Sequence, residues 1–279
     1  MIGVFDSGHG GLTILRALTQ HLPHRSFLYY GDHAHMPYGE RSSAEIVDLT
    51  RGAMEYMFQR GCKLTVMACN TAAAVALRTL QQTWLASDYP DHRILGVLVP
   101  TVEAVTGVSW LADVAPVSPD KPRRTIAIFA TRRTVASNAY VEEIGKRAPE
   151  IDVVQQACPD LVNLIEAPAP REDVRAAIKG FVAEMMEKLK GRRPEAVMLG
   201  CTHYPIVADL FAEALPADWE ILSQPQLVAR SMGDYLGRHP EIDTLDSVPQ
   251  LEFLTTGDAV SASGFATTFF GKPATFQTL

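Results

Sequence analysis

Val66-Met67-Ala68-Cys69-Asn70-Thr71 is an apolar run that ends on a cysteine and at once turns polar, and Val197-Met198-Leu199-Gly200-Cys201-Thr202 echoes it, with the cysteines 132 residues apart. A second pair, Ile2-Gly3-Val4-Phe5-Asp6-Ser7 and Ile126-Ala127-Ile128-Phe129-Ala130-Thr131, is offset by 124 residues and stands in the same order. Short matches arise singly by chance; two in the same order indicate an internal duplication. Each run reads as a buried strand followed by residues that open helices.

Further runs alternate with helical patterns. FLYY (27–30), ILGVLV (94–99) and DVVQQ (152–156) join IGVF (2–5), LTVMA (64–68), TIAIFA (125–130) and AVMLG (196–200) as strands. Helices are expected over 43–60, 71–86, 134–147 and 172–190. This alternation predicts an α/β protein with parallel sheets covered by helices on both faces. The Pro-rich segment 115–124, APVSPDKPRR, reads as a loop at the boundary between halves, with a second crossover at residue 99, before Pro100. Residues 210–279 carry helices and a TTGD turn (255–258) and are expected to pack back on the first half.

Composition narrows the function. The chain has 279 residues, 47% of them hydrophobic and 20% charged, with a formal net charge of -7. That acidity argues against general nucleic-acid binding, which needs a concentrated basic surface. No basic region followed by an apolar stretch opens the chain, and no apolar stretch is long enough to span a membrane, so a cytoplasmic protein is expected. The cysteines, at 62, 69, 158 and 201, form no CxxC pair and read as free thiols in a reducing compartment.

In open parallel sheets ligands bind beyond the C-terminal strand ends. Asp6-Ser7-Gly8, Cys69-Asn70-Thr71, Thr131 and Cys201-Thr202-His203 all fall at such ends. Cys62 and Cys158 read as small buried hydrophobes. Cys69 and Cys201 stand at helix starts, where backbone amides favour thiolate, so lowered thiol pKa values are expected. One such thiol per repeat, facing across a cleft, suits taking a proton from one face of a carbon and returning one to the other. Asp6 reads first as a helix cap. Gly8, Gly10 and Gly11 let backbone approach a ligand, but Thr13 stands where a dinucleotide fingerprint needs its third glycine. The loop therefore fits a small ammonium-bearing ligand better than a nucleotide. His203 could hold or relay a proton beside Cys201. His33 and His35 form an H-x-H pair, a weak metal signature. Pro37-Tyr38-Gly39 reads as a turn, or as a backbone grip on a carboxylate.

Taken together, Asp6-Ser7-Gly8 with Gly10-Gly11-Leu12, Gly31-Asp32 with Pro37-Tyr38-Gly39, Ala68-Cys69-Asn70-Thr71-Ala72 and Gly200-Cys201-Thr202-His203-Tyr204-Pro205 resemble the glutamate racemases of the aspartate/glutamate racemase superfamily. The match runs from residue 2 to about 207 and more weakly to Thr255-Gly257-Asp258. The resemblance implies two α/β domains related by a pseudo-twofold, 1–98 with 208–279 and 99–207, and an active site in the cleft between them. It implies an isomerase that interconverts L- and D-glutamate without cofactor or metal, supplying D-glutamate for peptidoglycan synthesis, cell-wall biogenesis and cell shape. Cys69 and Cys201 are then the acid/bases, with Asp6, His203 and Glu166 in support. Asp6, Ser7, Pro37, Tyr38, Gly39, Asn70, Thr71, Thr202 and His203 match substrate contacts, and Thr131 and Thr134 a further threonine pair. The implied partners are the small-molecule substrate and, as an open question, a second copy in a homodimer; nucleic acid and membrane are not among them.

The chain departs from the family pattern at His33 and His35, at Ser223-Gln224-Pro225 in place of a commoner acidic element, and in a longer loop at 109–124. Three other readings stand beside it. One is a sister racemase acting on aspartate or another acidic amino acid. Another is a zinc hydrolase with Cys69, Cys201, His203 and Asp6 as ligands. The third is a non-catalytic amino-acid binder.

Overall fold

The structure, a computed structural model, describes the chain except residues 110, 112–121, 168 and 244. Most of the expected boundary loop at 115–124 lies outside the described residues. Arg124 itself already belongs to a strand.

The strands of the first half are β1 (Ile2–Asp6), β2 (Phe27–Gly31), β3 (Leu64–Met67) and β4 (Arg93–Gly96). Helices α1 (Leu12–His21), α2 (Ser43–Gln59), α3 (Asn70–Val75) and α4 (Leu98–Thr106) connect or follow them. The second half has β5 (Arg124–Ala130), α5 (Arg132–Ser137), α6 (Ala139–Arg147), β6 (Ile151–Ala157), α7 (Leu161–Glu166), α8 (Arg171–Leu189), β7 (Ala196–Gly200), α9 (Ala208–Ala214) and β8 (Ile221–Leu222). The chain closes with α10 (Gln224–Arg238), β9 (Leu251–Thr255), α11 (Ala259–Phe270) and β10 (Gln277–Thr278).

Two parallel sheets result, ordered β10-β9-β2-β1-β3-β4 and β6-β5-β7-β8. The order β2-β1-β3-β4 recurs as β6-β5-β7-β8, so the strands that echo each other in sequence hold equivalent places. Register brings Phe5 level with Met67, and Ala130 level with Gly200. The loops after β1 and β3 therefore leave the first sheet side by side, and those after β5 and β7 leave the second the same way.

Side-chain alternation along β5 divides the core. Ile126, Ile128 and Ala130 join the large cluster under the first sheet, while Ala127 and Phe129 face a second cluster with α8. On α8 the buried stripe Val174, Ile178, Val182, Met185 and Leu189 keeps helical spacing. Ser42 and Glu45 cap α2 reciprocally, a device worth about 1 kcal/mol.

Several sequence expectations are corrected. The run 94–99 is a strand only to Gly96; Leu98 begins α4, and Pro100 sits in its first turn, where a missing N–H costs nothing. Short buried apolar runs do not reveal by periodicity whether they are strand or helix. The helix expected over 134–147 breaks at Asn138, whose φ of 55° is left-handed. The stretch 71–86 passes through a π-helical turn at Leu80–Leu85. The closing region, read as helices and a turn, also holds three strands, β8, β9 and β10.

The expected split at 207/208 does not follow the sheets. Leu210, Phe211 and Leu215 lie in the second core, and β8 pairs with β7, so the chain returns to the first half only with α10. Helix α4, given to the second half, has Leu98, Val102 and Val105 in the first core. Among the described residues no helix is long and apolar enough to cross a membrane.

Candidate active site

The loop after β1 turns tightly over the Asp6 carboxylate. Asp6 is fully buried and accepts the Gly8 amide at 2.9 Å. A Cβ on Gly11 would lie 2.4 Å from Asp6 Cβ, and one on Gly10 would lie 2.3 Å from Thr202 Oγ1, so these glycines permit close approach. Thr202, from the loop after β7, donates its hydroxyl to Asp6 Oδ2 at 3.2 Å. Burial raises the Asp6 carboxyl above its ordinary value, against the pull of His203 and the amides of Gly8 and Gly11.

Cys69 caps α3, its sulfur accepting the Ala72 amide at 3.4 Å and meeting Ser7 Oγ at 3.4 Å. The expected lowering of this thiol is not found. Burial first, and then the Asp6 carboxylate, outweigh those two contacts and push Cys69 up to about 12. Cys201 lies 3.9 Å from His203 Nδ1. His203 Nε2 meets Glu166 Oε1, at the end of α7, at 2.6 Å. Burial opposes charge on His203, yet Cys201 and Glu166 carry it up to about 10. For Glu166, burial is likewise outweighed, and the bonds from His203 and His9 hold it at about 2.

One cavity is lined by both cysteines and by Ser7, Asn70, Thr71, Thr131, Thr202 and His203, with Pro37, Tyr38 and Gly39 closing it. Asp6, Glu166 and Thr134 stand behind this wall. Thr131 caps α5, and its hydroxyl, that of Thr134 and that of Thr71 form a triangle with edges of 3.0, 3.0 and 3.3 Å across the two halves. The Tyr38 hydroxyl donates to Asp32 Oδ2 at 2.5 Å. Asn70 is held from below: Tyr140 donates to its Oδ1 at 2.6 Å, and its amide donates to Gln224 Oε1 at 2.7 Å. Cys62 and Cys158 are buried away from this wall.

Gly8 lines the cavity as its place in the glycine loop suggested, while Met36 and Val162 also line it and carried no sequence signal beyond adjacency. His9 was missed as well. It sits beside the noted glycines, and its Nδ1 meets Glu166 Oε1 at 3.1 Å. His33 and His35 do not act as a pair: the His33 ring packs at a tilt against His9, and His35 binds Asp32. Among the described residues, no three His, Cys, Asp or Glu side chains are grouped to hold a metal ion.

Residues 12–230 match the protein family described as Asp/Glu/Hydantoin racemase. The chain belongs to that family. The glutamate racemase of Phenylobacterium zucineum (strain HLK1) is 44% identical to it, over 99% of each chain. Glutamate racemase isoform RacE1 from Bacillus anthracis superposes with a TM-score of 0.84 at 29% identity, covering 100% of this chain and 97% of that one. The glutamate racemase of Francisella tularensis subsp. tularensis SCHU S4, solved in complex with D-glutamate, gives 0.84 at 26% identity, covering 100% and 96%. The chain is thus an isomerase of the racemase type, with the two-sheet α/β fold of these relatives.

Proposed function

We propose that the chain interconverts L- and D-glutamate by two-base proton transfer between Cys69 and Cys201, without cofactor. The observation that carries this reading is that the two thiols end equivalent strands of the two sheets and line the same cavity. Full-length similarity to glutamate racemases supports glutamate as the substrate.

In the forward step one sulfur removes the α-proton, so a C–H bond breaks and an S–H bond forms. The resulting carbanion takes a proton on its opposite face from the other thiol, which leaves as thiolate. Cys69, pushed up to about 12, starts as the thiol and donates. Cys201, beside the His203 imidazolium, starts as the base. The pair exchanges these states at each turnover. The resemblance to glutamate racemases implies that Cys201 deprotonates the L-isomer and Cys69 the D-isomer. Amides at the starts of α3 and α5, with the hydroxyls of Ser7, Thr71 and Thr202, bind the substrate carboxylates. Asp6 supports Cys69; His203 and Glu166 support Cys201. The D-glutamate formed supplies peptidoglycan synthesis in the cytoplasm, and through it cell-wall biogenesis and cell shape.

The test of substrate is circular dichroism of L-glutamate and L-aspartate incubated separately with the enzyme. Signal decays to zero with glutamate; decay with aspartate alone overturns the assignment. The test of mechanism offers both enantiomers of a glutamate analogue with a β-leaving group to Cys69→Ser and Cys201→Ser. Each variant eliminates from a different enantiomer and neither racemises. A shared preference removes one cysteine from the chemistry.

A further inference from the structure

His9 is 4% exposed, and its ring lies against three other rings. Ring centroids lie 4.5 Å from Phe265, 5.9 Å from Phe269 and 4.1 Å from His33. Its Nε2 makes no hydrogen bond among the described residues. What histidine adds is one bond, from Nδ1 to Glu166 Oε1 at 3.1 Å. An ionised carboxylate only accepts, so His9 and His203 both donate to the same oxygen. His9 belongs to the loop after β1 on the first sheet; Glu166 and His203 belong to the second half.

We propose that His9 is a positioning residue for Cys201: reaching across from the first half, it pins Glu166, which in turn holds His203 against the Cys201 sulfur. The path is continuous, at 3.1, 2.6 and 3.9 Å. Phe269 closes one side, 5.4 Å from the His203 ring. Cys69 is supported by other groups, Ser7 and the Ala72 amide. Loss of the His9 bond therefore acts on one thiol and leaves the other. The inference rests on the two-cysteine reading above.

The readout follows from that asymmetry. In a two-base racemase, slowing transfer at one sulfur makes bond breaking there more rate-limiting, whichever direction is measured. The primary deuterium isotope effect rises for the enantiomer whose proton that sulfur removes and falls for the other. His9→Leu is compared with wild type on both α-deuterated glutamates. Misplacement of a catalytic group by an ångström costs up to about 100-fold, and a drop of about tenfold in kcat is expected here with KM unchanged. The isotope effect rises with L-glutamate and falls with D-glutamate. His9→Asn, which keeps a donor toward Glu166, recovers most of the rate. His9→Leu placed in a Glu166→Gln background costs little more than Glu166→Gln alone, since the two act in series.

Isotope effects that move together for both enantiomers, or additive losses in the double variant, overturn the proposal. If His9→Leu does not fold, the same comparison is made with His9→Phe. The two readings fail separately. A shared enantiomer preference in the two serine variants defeats the two-cysteine mechanism. Distinct preferences there, with parallel isotope effects in His9→Leu, defeat the role of His9 alone.

Discussion

Thr202 from the second half donates its hydroxyl to the Asp6 carboxylate of the first at 3.2 Å, so the buried charge nearest Cys69 is partly held by the loop that carries Cys201. Asp6 is also one reason the Cys69 thiol sits so high. Replacing it with the neutral Asn removes a like charge, and the thiol pKa falls. Ultraviolet titration of thiolate reads this shift, the Cys69 signal being isolated as wild type minus Cys69→Ser and as Asp6→Asn minus Asp6→Asn/Cys69→Ser. Racemisation falls in the same variant. An unmoved thiol shows that burial alone sets its value.

The threonine triangle predicts a binding effect. Thr71→Val removes a hydroxyl that bonds Thr131 and Thr134, and Thr202→Val removes the donor to Asp6. A lost hydrogen bond costs about 1 kcal/mol net, so KM for glutamate rises about fivefold in each. Steady-state kinetics in both directions check it; unchanged KM in both variants rejects these hydroxyls as part of the substrate site.

The Glu166–His203 pair predicts a pH window for stability. His203 is raised to about 10, above an unfolded value of 6.5, so its contribution is complete below 6.5 and lost as pH climbs toward 10. Glu166 is lowered to about 2 from 4.5, so its contribution is complete above 4.5 and lost as pH falls toward 2. The stability gap between wild type and His203→Gln is therefore widest between pH 4.5 and 6.5. Urea unfolding across pH tests this. A gap that grows from neutral pH toward pH 10 contradicts it.

Gln224 opens α10, and it is 2% exposed. Its amide group contacts Asn70, Thr101 and Tyr140 at 2.7–3.1 Å. Gln224→Leu strands the Asn70 amide donor without its partner. The variant loses about 1–3 kcal/mol, the desolvation cost of an unsatisfied buried group. Glutamate KM rises as Asn70 loosens. Chemical denaturation and kinetics measure both, and a fully stable variant with unchanged KM contradicts this role.

Cys69, Cys201, Asp6 and Thr131 could be placed from sequence because a parallel sheet gathers its strand ends on one edge, and strand followed by cap is a local pattern. Val97 to Pro100 could not, since a buried helix and a buried strand look alike over so few residues. Strand β9 was missed because its partner is β2, far back in the chain, and its ends carry little alternation. The height of the Cys69 thiol was misread because local sequence shows the helix amide but neither the depth of burial nor the Asp6 carboxylate beside it. His9 was hidden for a related reason: its carboxylate partner lies 157 residues away and only the fold brings them together.

The recurrence of β2-β1-β3-β4 as β6-β5-β7-β8 bears on ancestry. A half-length ancestor paired with its own copy would have offered one identical thiol from each side of a symmetric crevice. An amino acid has no such symmetry, so neither side of that crevice was matched to its half of the substrate. Joining the copies in one chain let each side diverge. One now holds Asp6 and Ser7, the other His203 and Glu166, so the two walls of the cavity differ where the strand order is the same.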